Sequence, residues 1–119
     1  MNEVSIHRVL FCIGVNQNFM DAPQQEMVEV WQSFSAMMKD ISGHPDITIL
    51  GIMDDDRIQV GPSTSSPWTA YIMADVANIE AVISACDFFR STPVGDGTFK
   101  LWKYCKVEAR IGRELVVPN

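Results

Sequence analysis

Few residues of this chain are of a type that can do chemistry, and none sits in a dense constellation. His7, in Ile6-His7-Arg8, is the leading candidate for proton transfer, because imidazole exchanges a proton near neutral pH. It serves equally as a hydrogen-bonded strand-end or interface residue. His44 stands before Pro45 in a turn and has no Cys or His at ligand spacing, so no metal site is expected. Trp68, Tyr71, Trp102 and Tyr104 supply four large rings with polar tips, enough to wall a pocket for a flat aromatic ligand or to fill a core and an interface. Trp68 and Tyr71 differ in parity along a strand, so at most one of them shares a side with Trp102 and Tyr104. Among the cations Arg8, Lys106, Arg110 and Arg113, Arg110 is the candidate for holding a carboxylate, since guanidinium offers two parallel donors. Glu108 lies between Lys106 and Arg110 on the same alternating row, which favours ion pairing among the three. Asp54-Asp55-Asp56 cannot converge on a cation from a regular strand and reads as a solvated bend. Gly95-Asp96-Gly97 lacks the strand-before and helix-after context of a phosphate loop, and neither G-x-S-x-G nor H-E-x-x-H occurs.

Those residues must be carried by elements that the periodicity predicts. Residues 4–15 form a β-rich run, apolar on both alternating rows, as expected of a central strand. Asp21 with Gln24 suggests a capping box. From there Met27, Val30, Trp31, Phe34, Met37, Met38 and Ile41 recur at helical spacing until Ser42-Gly43. Ile47–Met53 reads as a bulged or bent strand that resumes through Ile58 and Val60, and residues 61–67 form a turn into a strand over 68–74, making a hairpin. Ile79, Val82, Ile83, Cys86 and Phe89 mark a second helix, capped by Asp75 or Asn78 and ended by Thr92-Pro93. A last strand is expected over 98–111, with Trp102, Tyr104, Lys106, Glu108 and Arg110 on one row, followed by a short tail that docks on a neighbour.

The 119 residues suit one domain, spanning 1–119, and 47% hydrophobic against 20% charged residues argues for a packed core rather than disorder. A net charge of −6 with no basic run makes nucleic acid an unsuitable partner. The N-terminal residues lack a leader pattern and no apolar run reaches membrane-spanning length, so a cytoplasmic protein with no membrane partner is expected. Cys12, Cys86 and Cys105 are odd in number and set in apolar patterns, and read as reduced core residues.

The resulting order is βαββαβ: an α+β, ferredoxin-like unit in which two helices cover one face of a four-stranded antiparallel sheet. The first strand carries Val9, Phe11 and Ile13 on one row and Ile6, Leu10 and Cys12 on the other. A monomer therefore leaves one apolar row uncovered, and a homodimer is expected. This order, with the doubly apolar first strand and the long first helix, resembles the dimeric α+β-barrel superfamily. Within it, Pro67-Trp68-Thr69-Ala70-Tyr71-Ile72 and the stretch from Leu101 to Arg113 are similar to the small B proteins encoded in bacterial indole-3-acetic acid degradation clusters. The resemblance implies a place in aromatic-acid catabolism beside oxygenases, and brings no catalytic motif with it. Two expectations follow. One is a cofactor-free protein that binds or converts a small aromatic or indolic acid, with His7 in proton transfer, Trp68 or Tyr71 with Trp102 and Tyr104 as the wall, and Arg110 on the carboxylate. The other is a non-catalytic dimeric binding or assembly module for a pathway oxygenase.

Overall fold

The computed structural model describes residues 6–62 and 67–118. Strand β1 (His7–Val15) is the central strand the sequence predicts: it pairs antiparallel with β3 (Ala70–Val76) on one side and with β6 (Cys105–Gly112) on the other. Strand β2 (Ile47–Asp54) adds to the free side of β3, giving the antiparallel order β2-β3-β1-β6. The Cα envelope is only 16 Å thick, the depth of one sheet and one helical layer. The α+β arrangement of one four-stranded antiparallel sheet with three helices is compatible with a ferredoxin-like fold. Among the described residues no helix is long and apolar enough to cross a membrane.

Parity decides what each strand contributes. Val9, Phe11 and Ile13 of β1 join Ile72, Ala74 and Val76 of β3 and Cys105 of β6 in the core beneath the helices. Each large aliphatic or aromatic side chain buried there contributes roughly 1.5–3 kcal/mol. The row of opposite parity, with Arg8, Leu10 and Cys12 on β1, faces away from the helices. Cys12 is nonetheless fully buried, flanked across the ladders by Tyr71 and Glu108. Leu10 is half-buried between Met73 and Arg110. The end of this face is held by Arg8, whose Nε and Nη2 donate to the two Asp75 carboxylate oxygens at 2.9 and 3.0 Å.

Helix α2 (Gln24–Ser42) buries Val30, Ser33, Met37 and Ile41, a stripe at spacings of three and four. The one polar member, Ser33, is satisfied by donating to the Pro93 carbonyl at 2.7 Å, which ties α2 to the chain leaving α3. Helix α3 (Ile79–Ser91) buries Ala81, Val82, Ala85 and Phe89, and Asn78 caps it, its Oδ1 accepting from the Ala81 amide at 2.8 Å. Of the two caps the sequence offers, Asn78 is the one used; Asp75 is committed to Arg8.

Three expectations need correction. The Asp21–Gln24 capping box does not form: a four-residue helix, α1 (Gln17–Met20), precedes α2, Pro23 occupies the N-cap of α2, and Asp21 accepts from Gln17 Nε2 at 3.1 Å. Strand β2 bulges between Ile49 and Gly51 as expected but ends at Asp54, leaving Ile58 and Val60 exposed. The last strand is not continuous from 98: a two-residue hairpin, β4 (Pro93–Val94) with β5 (Phe99–Lys100), and a 3₁₀ turn over Leu101–Lys103 come before β6 begins at Cys105. Gly95 (φ 59°) and Gly97 (φ 88°) make that hairpin's turn, since both adopt left-handed backbone that a side chain disfavours. The tail after Gly112 is exposed, including Leu115, Val116 and Val117.

Gly14 lies close against Pro67. A Cβ there, on the face away from the helices, lies 2.6 Å from the Pro67 carbonyl oxygen and 2.9 Å from Lys106 Cε. Lys106 can move aside but a backbone carbonyl cannot, so Gly14→Ala is expected to lower unfolding free energy by about 1–3 kcal/mol. Urea denaturation followed by circular dichroism measures this; a loss within 0.5 kcal/mol, the ordinary range of about zero for a neutral surface change, contradicts the close approach.

Candidate functional site

An apolar cleft of about 330 Å³ lies between α2 and the sheet. On the helix side Val30, Trp31, Phe34 and Met38 line it. On the sheet side Ile13, Ile72, Ile52 and Asp54, of the helix-facing parity, line it, and Met53 of the edge strand β2, of the opposite parity, also reaches it. Phe19 of the short α1 and Tyr104, the residue before β6, also line it. The cleft exists because β2 is an edge strand that the two helices leave partly uncovered: Ile52 is 64% exposed although it faces the helical layer, and Trp31 on α2 is 62% exposed. Two large apolar side chains thus project toward a gap instead of packing into the core. The ring of Trp31 meets Phe34 edge to face at 6.0 Å between centroids, and Phe34 meets the buried Phe89 in the same way at 6.4 Å.

Polar groups in the lining are few. Asp54, at the end of β2, is its charged member, with Thr69, Tyr104 and Cys105 as the remaining polar side chains. Burial, followed by hydrogen bonding to Glu26 and the negative charge of Glu26 and Glu29, raises the Tyr104 hydroxyl above the ordinary phenol range. Burial pushes the Cys105 thiol up to about 11, and its Sγ donates to the Leu101 carbonyl at 3.5 Å. Both groups therefore hold their protons at neutral pH. Tyr104 is a hydrogen-bond donor, and Cys105 is not a ready nucleophile.

The residues singled out from the sequence are dispersed by the fold. Only Tyr104 of the six lines the cleft. His7 has the helix-facing parity but starts β1, whereas the cleft is reached at Ile13, six residues and so about 20 Å further along the strand. Tyr71 and Arg110 lie on the opposite face of the sheet. There the Tyr71 hydroxyl bonds Asp55 at 3.3 Å, and Arg110 pairs with Glu108 at 3.1 Å, the ion pairing expected of that row. Trp68 lies against the Lys106 ammonium, 5.5 Å from its ring centroid. Trp102 is in the 3₁₀ turn and 60% exposed. The Asp54-Asp55-Asp56 bend is exposed, and among the described residues no group of three or more His, Cys, Asp or Glu side chains converges as metal ligands.

Conversely, Trp31, Phe34 and Met38 appear in the sequence only as members of a helical core stripe. The signal available was the width of that stripe: its seven members from Met27 to Ile41 are more than one buried face of a surface helix needs. Phe19 carried no such signal, because the short helix that presents it has no periodicity to read. Comparison with protein-family models, with curated proteins and with solved structures finds no match for the chain.

The raised Cys105 thiol has a consequence for stability. A group whose folded value lies above its unfolded one stabilises the fold below the unfolded value, and that contribution is lost as pH rises through the folded value. Melting temperature is therefore expected to fall between about pH 9, the ordinary thiol range, and pH 11. In Cys105→Ala this part of the fall should disappear from a scanning-calorimetry pH series; an identical fall in both proteins would assign it to other groups.

Proposed function

We propose that the chain forms a homodimer of the dimeric α+β-barrel type and binds a small aromatic or indolic compound, without a cofactor, in the cleft between α2 and the sheet. The observation that carries the reading is the cleft itself. Its volume of about 330 Å³ lies at the small end of ligand-pocket sizes, suited to a one- or two-ring molecule. Three aromatic side chains, Phe19, Trp31 and Phe34, supply flat apolar walls, and Tyr104 adds one oriented donor. The reading is binding rather than turnover, because the lining is apolar apart from Asp54, Thr69, Tyr104 and Cys105, and the last two are held protonated. From the resemblance noted above we further propose a role in aromatic catabolism, as a module that holds an intermediate for a partner oxygenase; the aromatic walls of the cleft suit the ring of such a compound.

The dimer is proposed through the sheet face away from the helices. Its middle is apolar, with Leu10, Tyr71, Met73 and Met53. Met73 and Met53 are more than a third exposed, and ion pairs from Arg8 to Asp75 and from Arg110 to Glu108 frame it. An apolar centre inside a charged rim is the pattern of a specific interface. Met73→Glu is expected to shift the protein from dimer to monomer in sedimentation velocity with its circular dichroism unchanged. A wild-type protein that sediments as a monomer at tens of micromolar, a concentration where contacts of standard size persist, removes the dimer.

Binding is tested by titration calorimetry with indole as the probe. Saturable binding is expected, and Trp31→Ala should weaken it about tenfold, the worth of one aromatic contact. Because Trp31 is 62% exposed, its removal leaves the core intact. Unchanged affinity in the variant would move the ligand out of this cleft.

A further inference from the structure

The charge of the ligand follows from which ionic groups the fold sends to the cleft. Resting on the proposal that the cleft is an aromatic site, we infer that its preferred ligand bears an ammonium rather than a carboxylate, in the manner of an arylalkylamine, with Asp54 as the group that meets the ammonium. Asp54 pairs in register with Ala70 and so shares the helix-facing side with Ile52 and Ile72, all of which line the cleft. It is the charged residue of the lining, and it is negative.

The cations of the molecule are deployed elsewhere. Arg8 is held by Asp75, Arg110 by Glu108 and Arg90 by Asp87, at 2.9, 3.1 and 3.2 Å. Lys106 sits over Trp68. Arg57 projects into solvent with its side chain 93% exposed and its Nε 4.0 Å from Asp56. Lys103, whose ammonium is 3.5 Å from the Phe99 ring centroid and 5.2 Å from that of Tyr104, is not a lining residue either. The carboxylates are placed differently. Glu26 and Glu29 are close enough to the cleft-lining Tyr104 for their negative charge to act on its hydroxyl.

A carboxylate ligand would therefore leave water to sit beside like charge with no donor pair to receive it. An ammonium gains on three counts. Asp54 attracts it; the faces of Trp31, Phe34 and Phe19 attract a cation through their quadrupoles; and the net charge of −6 concentrates cations around the whole molecule. Asp54 is exposed, so salt screens its contribution, and the preference should be largest at low ionic strength.

The test is calorimetric titration of the full chain with three probes that share one ring system: tryptamine, indole and indole-3-acetate. At low salt tryptamine is expected to bind on the order of tenfold more tightly than indole-3-acetate, with indole between them. In Asp54→Asn, a surface substitution whose fold is checked by circular dichroism, the gap should narrow to about twofold. If indole binds and indole-3-acetate binds as tightly as tryptamine or more so, the charge preference is overturned while the aromatic cleft stands. A gap that Asp54→Asn leaves intact overturns the assignment to Asp54. Failure of all three probes to bind overturns the aromatic cleft and this inference with it.

Discussion

The two hydrogen-bonded ladders of β1 are the constraint on which the rest of the molecule depends. Because β1 pairs on both sides, it cannot shift register without moving every side chain of the sheet to the wrong face. Its register is fixed at one end by Arg8 gripping the directly opposite Asp75, and near the other by Thr69, whose amide and hydroxyl both donate to the Ile13 carbonyl at 2.7 and 3.2 Å. Once β1 is set, Val9, Phe11 and Ile13 form the floor on which α2 and α3 pack. Leu10 and Cys12 belong to the face that the helices do not reach.

A layer of two helices over four strands leaves an edge short of cover, and here that edge is β2. The bulge between Ile49 and Gly51 re-aims the strand so that Ile52 and Asp54, two apart, both fall on the helix-facing side. Without the bulge the row begun by Ile47 and Ile49 would continue through Gly51 and Met53. The irregularity therefore brings Asp54 to the cleft and gives the cleft its one charge. On the helical side, Trp31 and Phe34 are one turn apart and flank the buried stripe rather than joining it. A ring at this position meets the gap above β2 instead of the core.

Electrostatics divides the molecule into two faces of different character. The sheet face away from the helices gathers Arg8, Asp75, Lys106, Glu108 and Arg110 around an apolar middle, with charges paired within reach of one another. The cleft gathers aromatic rings with the Asp54 carboxylate among its lining residues. Charges on the first face offset one another in pairs, and Asp54 gives the lining of the cleft a negative charge.

Much of this was legible in the sequence, for local reasons. Periodicity is a property of neighbouring residues, so the doubly apolar β1, the long α2 from Met27 to Ile41, the helix α3 and the glycine turn at 95–97 follow from the chain alone, and with them the α+β order. The break before β6 was not legible. Phe99 to Tyr104 has strand-like composition, yet Leu101 is drawn fully into the core, its amide donates to the Thr92 carbonyl, and the Lys103 carbonyl accepts from the side chains of Asn16 and Asn18. These partners are more than eighty residues away for Lys103, and no local pattern encodes them. That turn separates Tyr104, which it delivers to the cleft, from Trp102, which it leaves in solvent, and from Arg110 on the opposite face of the sheet. Residue types supplied the aromatic rings and the negative charge; their meeting around one gap was decided by tertiary packing, because the gap is bounded by residues from five separate stretches of the chain.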